Sequence, residues 1–143
     1  MADIFTPAKR SEIMSRIKSR NTKPEMVVRK ILFSKGLRYR LHEKDLPGKP
    51  DIVFRTSKLA VFVHGCFWLQ HENCKDAFIP STRQNYWLPK LEKNVQRDEK
   101  AIKCLNEMDW KVYIVWECLI KDDYKLNDLI DKIAASVEAR RTV

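Results

Sequence analysis

Two groups of residues in this sequence have the types and spacing that chemistry requires. The first centres on Asp51, which follows Pro50 at the mouth of an apolar run and lies thirteen positions before His64. If 51–54 and 59–63 pair as a hairpin, the carboxylate meets the end of the neighbouring strand. There it suits a hard cation such as Mg²⁺, with a backbone carbonyl of the adjacent strand and phosphate oxygens completing the shell. A turn aspartate after a proline is the plainer alternative. The second group is Cys66-x4-His71-x2-Cys74, soft and borderline ligands at chelating distances. Cys118, just beyond the apolar run that ends at Trp116, is expected to return to the same end of the sheet as the fourth ligand. Three thiolates and an imidazole leave zinc no open position, so such a site is structural. Four unrelated reduced cysteines are the competing account. Cys104, between Lys103 and Leu105, reads as an idle thiol within a helix.

These groups need elements to position them. Residues 9–18 carry Ile13, Met14 and Ile17 on one helical stripe, surrounded by basic residues. Thr22 and Glu25 have capping-box spacing and Pro24 suits a first turn, so a second helix follows, burying Val27, Val28, Ile31 and Leu32 and ending at Gly36. Residues 37–41 alternate apolar and basic as a half-exposed strand does. Residues 51–54 and 59–63 predict a hairpin across 55–58. A long helix is expected from about Pro89 to residue 108, then a strand at 111–116, apolar enough to be central. Leu126, Leu129, Ile130, Ile133 and Val137 mark a closing helix. The fold class is α/β, a mixed sheet flanked by helices in the order ααβββαβα.

The 143 residues suit one domain, with a basic arm at 1–20 ahead of a globule at 21–143. Of the net charge of +9, residues 1–40 carry +8, from eleven Lys or Arg against three acids. Such a cluster suits a phosphate backbone through counterion release, or else forms a solvated surface. The apolar runs are strand-sized and the opening MADIFTPAKR lacks a signal-peptide core, which points to a reducing cytosol and no membrane partner.

Phe67, Trp68, Tyr86 and Trp87 bracket an aperiodic stretch at 64–87. They are core residues in most proteins. In a basic nucleic-acid binder, aromatics on a rigid loop can instead wedge into a base step, a few kcal/mol of unstacking being offset by new contacts. Met14 and Ile17 would act from the opposite groove, unless their helix simply docks on the core.

Taken together, Arg10-Ser11, Met14, Asn21-Thr22-Lys23-Pro24-Glu25, Leu46-Pro47-Gly48-Lys49-Pro50-Asp51, Val63-His64-Gly65-Cys66-Phe67-Trp68, Tyr86-Trp87, Asn94-Val95, Arg97-Asp98 and Val115-Trp116-Glu117-Cys118 resemble the very-short-patch repair (Vsr) DNA mismatch endonucleases. That family belongs to the restriction-endonuclease-like PD-(D/E)xK superfamily. The resemblance implies a Mg²⁺-dependent nick in duplex DNA beside the thymine of a T:G mismatch, of the kind left by deamination of 5-methylcytosine. It implies that Asp51 and the backbone carbonyl of Val63 bind Mg²⁺, that His64 contacts the scissile phosphate and that Glu25 orients water or metal. Capping alone would also account for Glu25. The resemblance further makes Cys66, His71, Cys74 and Cys118 the zinc ligands, Phe67, Trp68 and Trp87 intercalators, Met14 part of an N-terminal wedge, and Lys90 and Asn94 mismatch-reading positions.

One departure bears on catalysis. After HGCFW the family ordinarily has a histidine as general base, whereas this chain has Leu69, which can neither accept a proton nor orient water. Two readings follow: a mismatch-specific nicking endonuclease, or a zinc-stabilised mismatch-binding protein with impaired cleavage. A basic RNA-binding protein fits the charge but not the spacing of Asp51 and His64 or the aromatic loop. A monomer is the default, with other mismatch-repair proteins as candidate partners.

Overall fold

The computed structural model describes residues 22–141. The expected helix at 9–18, the arm at 1–20, Met14 and Ile17 lie outside them. Helix α1 (Lys23–Ser34) begins where Thr22 Oγ1 accepts the Glu25 N–H at 3.4 Å, with Pro24 in the first turn. It closes in a Schellman turn. Gly36 takes a φ of 82°, its N–H donates to Phe33, and the Leu37 N–H donates to Leu32. Leu37 is thereby drawn into the core beside Leu32, so the strand expected over 37–41 shortens to β1 (Arg40–Leu41).

Strands β2 (Ile52–Phe54) and β3 (Leu59–His64) form the expected hairpin, and β4 (Lys111–Trp116) joins β3 in parallel. The order β1-β2-β3-β4 places β4 at the edge and β3 inside, against the expectation that β4 is central. The apolar character of β4 comes from helices lying over its two faces rather than from strands on both sides. Alternation along β3 divides the core. Leu59 and Val61 join Val28, Leu32, Ile130 and Ile133 on the face covered by α1 and the C-terminal helix α3 (Asp123–Arg141). Ala60 and Phe62 face Leu105 of α2 (Gln84–Glu107). From the α1 helix onward the element order is the one read from periodicity.

Helix α2 starts at Gln84, five residues before Pro89, so Tyr86 and Trp87 stand on its first turn instead of on an irregular loop. Proline there gives up the bond to the carbonyl of Asn85, an exposed residue. The packing of Trp87 against Phe67 and Trp68 holds the turn ahead of it. Between β1 and β2, Gly48 has a φ of 75°, and a Cβ there would lie 2.7 Å from Cβ of Ala101 on α2. Replacing Gly48 with Ala therefore combines backbone strain with a clash, and the variant should lose about 2 kcal/mol or more of unfolding free energy in urea denaturation.

Candidate active site and metal centre

At the open end of the sheet, the same alternation sends His64 toward α2. There its Nε2 meets Asp98 Oδ1 at 3.0 Å, and its ring packs on Phe62 and Trp116. The His64 ring is 95% buried, and its Nδ1 has no hydrogen-bond partner among the described residues. Across the hairpin, Asp51 Oδ2 accepts the Val63 N–H at 2.7 Å. Asp51, His64 and Val63 line one cleft of about 750 Å³ together with His42, Trp68, Leu69 and Asn94. The hairpin thus makes the juxtaposition that the sequence spacing required.

Burial is the main influence on Asp51, pushing its pKa up to about 6; the Val63 N–H works against this and neighbouring Glu25 adds to it. Glu25 is itself 1% exposed, and its Oε2 lies 2.9 Å from His42 Nε2 and 3.3 Å from Arg29 Nη1. These contacts go beyond a capping role. One ligand atom from each of Glu25, His42 and Asp51 lies within 4.8 Å of the others, so these three side chains could hold a cation at the edge of the cleft.

Behind this end lies the second cluster. Cys66, His71, Cys74 and Cys118 present ligand atoms within 4.8 Å of one another. Cys66 Sγ and Cys118 Sγ sit 3.6 and 3.5 Å from His71 Nδ1. Tetrahedral zinc, with bonds of about 2.3 Å to sulfur and about 2.0–2.1 Å to nitrogen, places such atoms about 3.6 Å apart. The donor set and its edges therefore fit structural zinc. Burial pushes the Cys66 thiol up to about 12 and raises that of Cys118, so thiolates here depend on a cation to offset their desolvation. His71 stacks on Trp116 with centroids 4.0 Å apart and is committed to this cluster, away from the cleft. Cys104 lies apart from it.

The segment between the two clusters carries the aromatics. Phe67 packs at 5.1 Å on Trp68, 5.5 Å on Trp87 and 5.1 Å on Phe78, and Lys90 Nζ stands over the Trp68 and Tyr86 rings. Phe67, Trp68 and Trp87 are half-buried, while Phe78, Tyr86 and Lys90 are exposed. The expected aromatic wedge residues Phe67, Trp68 and Trp87 are thus one contiguous patch, and Trp68 belongs to both patch and cleft.

Sequence reasoning overlooked His42 as a site residue and gave no role to Asp98 or Glu117. Asp98 follows Leu91 and Asn94 and precedes Ala101 and Leu105 at helical spacing, so a carboxylate on the buried stripe was a signal in the sequence. Glu117 Oε1 accepts the Cys66 N–H at 2.9 Å, a contact that only the strand pairing creates. His42 has a φ of 49°, which local sequence does not announce.

Comparison with known proteins places these residues in context. The family profile described as DNA mismatch endonuclease Vsr matches residues 2–76. A type II nicking enzyme, V.NmeAIP of Neisseria meningitidis serogroup A, is 45% identical over 141 residues, covering 96% of this chain and 100% of its own. V.XorIIP of Xanthomonas oryzae pv. oryzae, also a type II nicking enzyme, is 43% identical over 135 residues, or 92% and 98% of the two chains. The DNA mismatch endonuclease Vsr of Escherichia coli K12 is 41% identical over 128 residues, or 90% and 81%.

The buried carboxylate has a measurable cost. The raised pKa of Asp51 means that folding takes up protons between pH 3.8 and about 6, so stability falls as pH rises through that window. Asp51→Asn keeps an acceptor for Val63 without the charge. In divalent-free buffer its Tm should exceed that of the parent by a few degrees at pH 7.5, and calorimetry should show the gap closing near pH 4.

Proposed function

Because this chain belongs to the Vsr DNA mismatch endonuclease family, we propose that it is a Mg²⁺-dependent endonuclease that nicks duplex DNA beside the thymine of a T:G mismatch. The observation that carries this reading is the meeting of Asp51 and His64 in one cleft whose wall, Trp68, continues into the aromatic patch.

Asp51 would hold the cation. In an extended strand a residue's N–H and C=O point to the same edge, and the Val63 N–H already faces Asp51, so the Val63 carbonyl is directed to that side as a second ligand. A cation held there would supply Lewis-acid stabilisation of the charge that develops on the scissile phosphate. Asp98 holds the His64 ring through Nε2, and His64, which lines the cleft, would contact the scissile phosphate. Glu25 orients water or metal beside Asp51. Phe67, Trp68 and Trp87 enter the base step, unstacking it at a cost of about a few kcal/mol. Lys90 and Asn94, on the face of α2 next to the patch, read the mismatch. The basic arm at 1–20, with Met14 and Ile17, approaches the duplex from the other groove. The protein would work as a cytoplasmic monomer, with other mismatch-repair proteins as partners.

Leu69 favours a second reading. It lines the cleft but has no atom that accepts a proton, so mismatch binding with slow cleavage is the alternative. End-labelled T:G and T:A duplexes, each with and without Mg²⁺, test both. The proposed activity requires a nick in T:G alone, only with Mg²⁺, that Asp51→Ala abolishes. Leu69→His should raise the single-turnover rate at least about tenfold; an unchanged rate would remove Leu69 as the cause of any slowness. Equal cutting of both duplexes would refute mismatch specificity.

A further inference from the structure

His42 is the one imidazole in the cleft that neither the zinc cluster nor the phosphate contact employs. We propose that it is a direct ligand of the cation held by Asp51, so that Glu25, His42 and Asp51 form a mixed nitrogen and oxygen site that prefers Mn²⁺ to Mg²⁺. This rests on the reading above in taking Asp51 as a cation ligand, and extends it to an imidazole.

Three features carry the inference. The ligand atoms of Glu25, His42 and Asp51 converge within 4.8 Å, and the separation of His42 Nε2 from Glu25 Oε2 is 2.9 Å. Two neighbouring ligands of an octahedral cation, each about 2.1 Å from it, are about 3 Å apart. The pair, hydrogen-bonded to each other without a metal, is spaced as one edge of a coordination shell.

The second feature is backbone placement. The His42 N–H donates to the Asp51 carbonyl at 3.1 Å, continuing the β1–β2 ladder by one rung, and the φ of 49° belongs to the left-handed region that side chains other than glycine seldom adopt. The strand ends there, and the ring stands over the Glu25 carboxylate with 18% of its surface exposed. Such backbone conformations concentrate where a side chain must be aimed.

The third is charge. Glu25 is 1% exposed, with the Arg29 guanidinium 3.3 Å from the oxygen that meets His42, and Asp51 lies beside it in the same cluster. Two carboxylates and an imidazole that converge in this way make a mixed oxygen and nitrogen set that a dication can join. Mg²⁺ favours an all-oxygen shell, whereas imidazole raises affinity for transition ions.

Electron spin-echo measurements on Mn²⁺ bound to the full-length, zinc-loaded chain test this directly, because nitrogen in the first shell gives a characteristic modulation. The parent should show that modulation and bind Mn²⁺ at least about tenfold more tightly than Mg²⁺ in competition. His42→Ala and His42→Gln, the latter keeping a polar partner for Glu25, should lose the modulation and the preference while retaining zinc and Mg²⁺ binding. Modulation that persists in both variants overturns the proposal, and so does equal affinity for the two ions in the parent. If Asp51→Ala still removes Mn²⁺ in that case, the cation role of Asp51 stands without His42. If Asp51→Ala leaves Mn²⁺ bound unchanged, the cation site itself is misplaced.

Discussion

The parallel pairing of β3 with β4, running in register from Leu59 beside Lys111 to His64 beside Trp116, is the constraint on which the rest of the molecule depends. Parallel strands leave the sheet at the same end, so the residues that follow each of them must meet. On one side these are Gly65 and Cys66, and on the other Glu117 and Cys118. The Cys66 N–H donates to Glu117, and both thiols close on His71. A zinc ion bridging them would lock an irregular segment that has few backbone hydrogen bonds of its own. That segment presents Phe67 and Trp68 to the first turn of α2.

The same pairing governs the cleft. Its register decides that His64 faces α2 and Asp98, while the antiparallel hairpin on the other edge of β3 brings Asp51 to Val63. The proposed catalytic and wedge surfaces are therefore consecutive parts of one strand exit, and Trp68 belongs to both cleft and aromatic patch. The cost is electrostatic. Asp51 is a carboxylate in surroundings that disfavour its charge, a condition that would trade stability for the proposed cation site.

Much of this was legible in the sequence, for local reasons. The short continuous apolar run at 59–63, helical spacing in 126–137 and the cap at Thr22 each identify an element from neighbouring residues alone, and the compact Cys66, His71, Cys74 spacing identifies a chelating loop. Cys118 followed once the last strand was recognised. What escaped depends on contacts distant in sequence or on backbone conformation. The start of α2 ahead of Pro89 is held by aromatic packing from a segment some twenty residues earlier. The edge position of β4 follows from what does not pair with it, which no composition of the strand reports. His42 enters the site through one left-handed residue at the end of a two-residue strand.

The central claim, that a metal-pinned strand exit holds the aromatic patch in shape to open a base step, is tested most directly by fluorescence of 2-aminopurine placed beside a T:G mismatch. Zinc-loaded protein should raise the fluorescence as the base unstacks, zinc-stripped protein should not, and restoring zinc should recover the rise. An equal rise from the stripped protein would contradict the account.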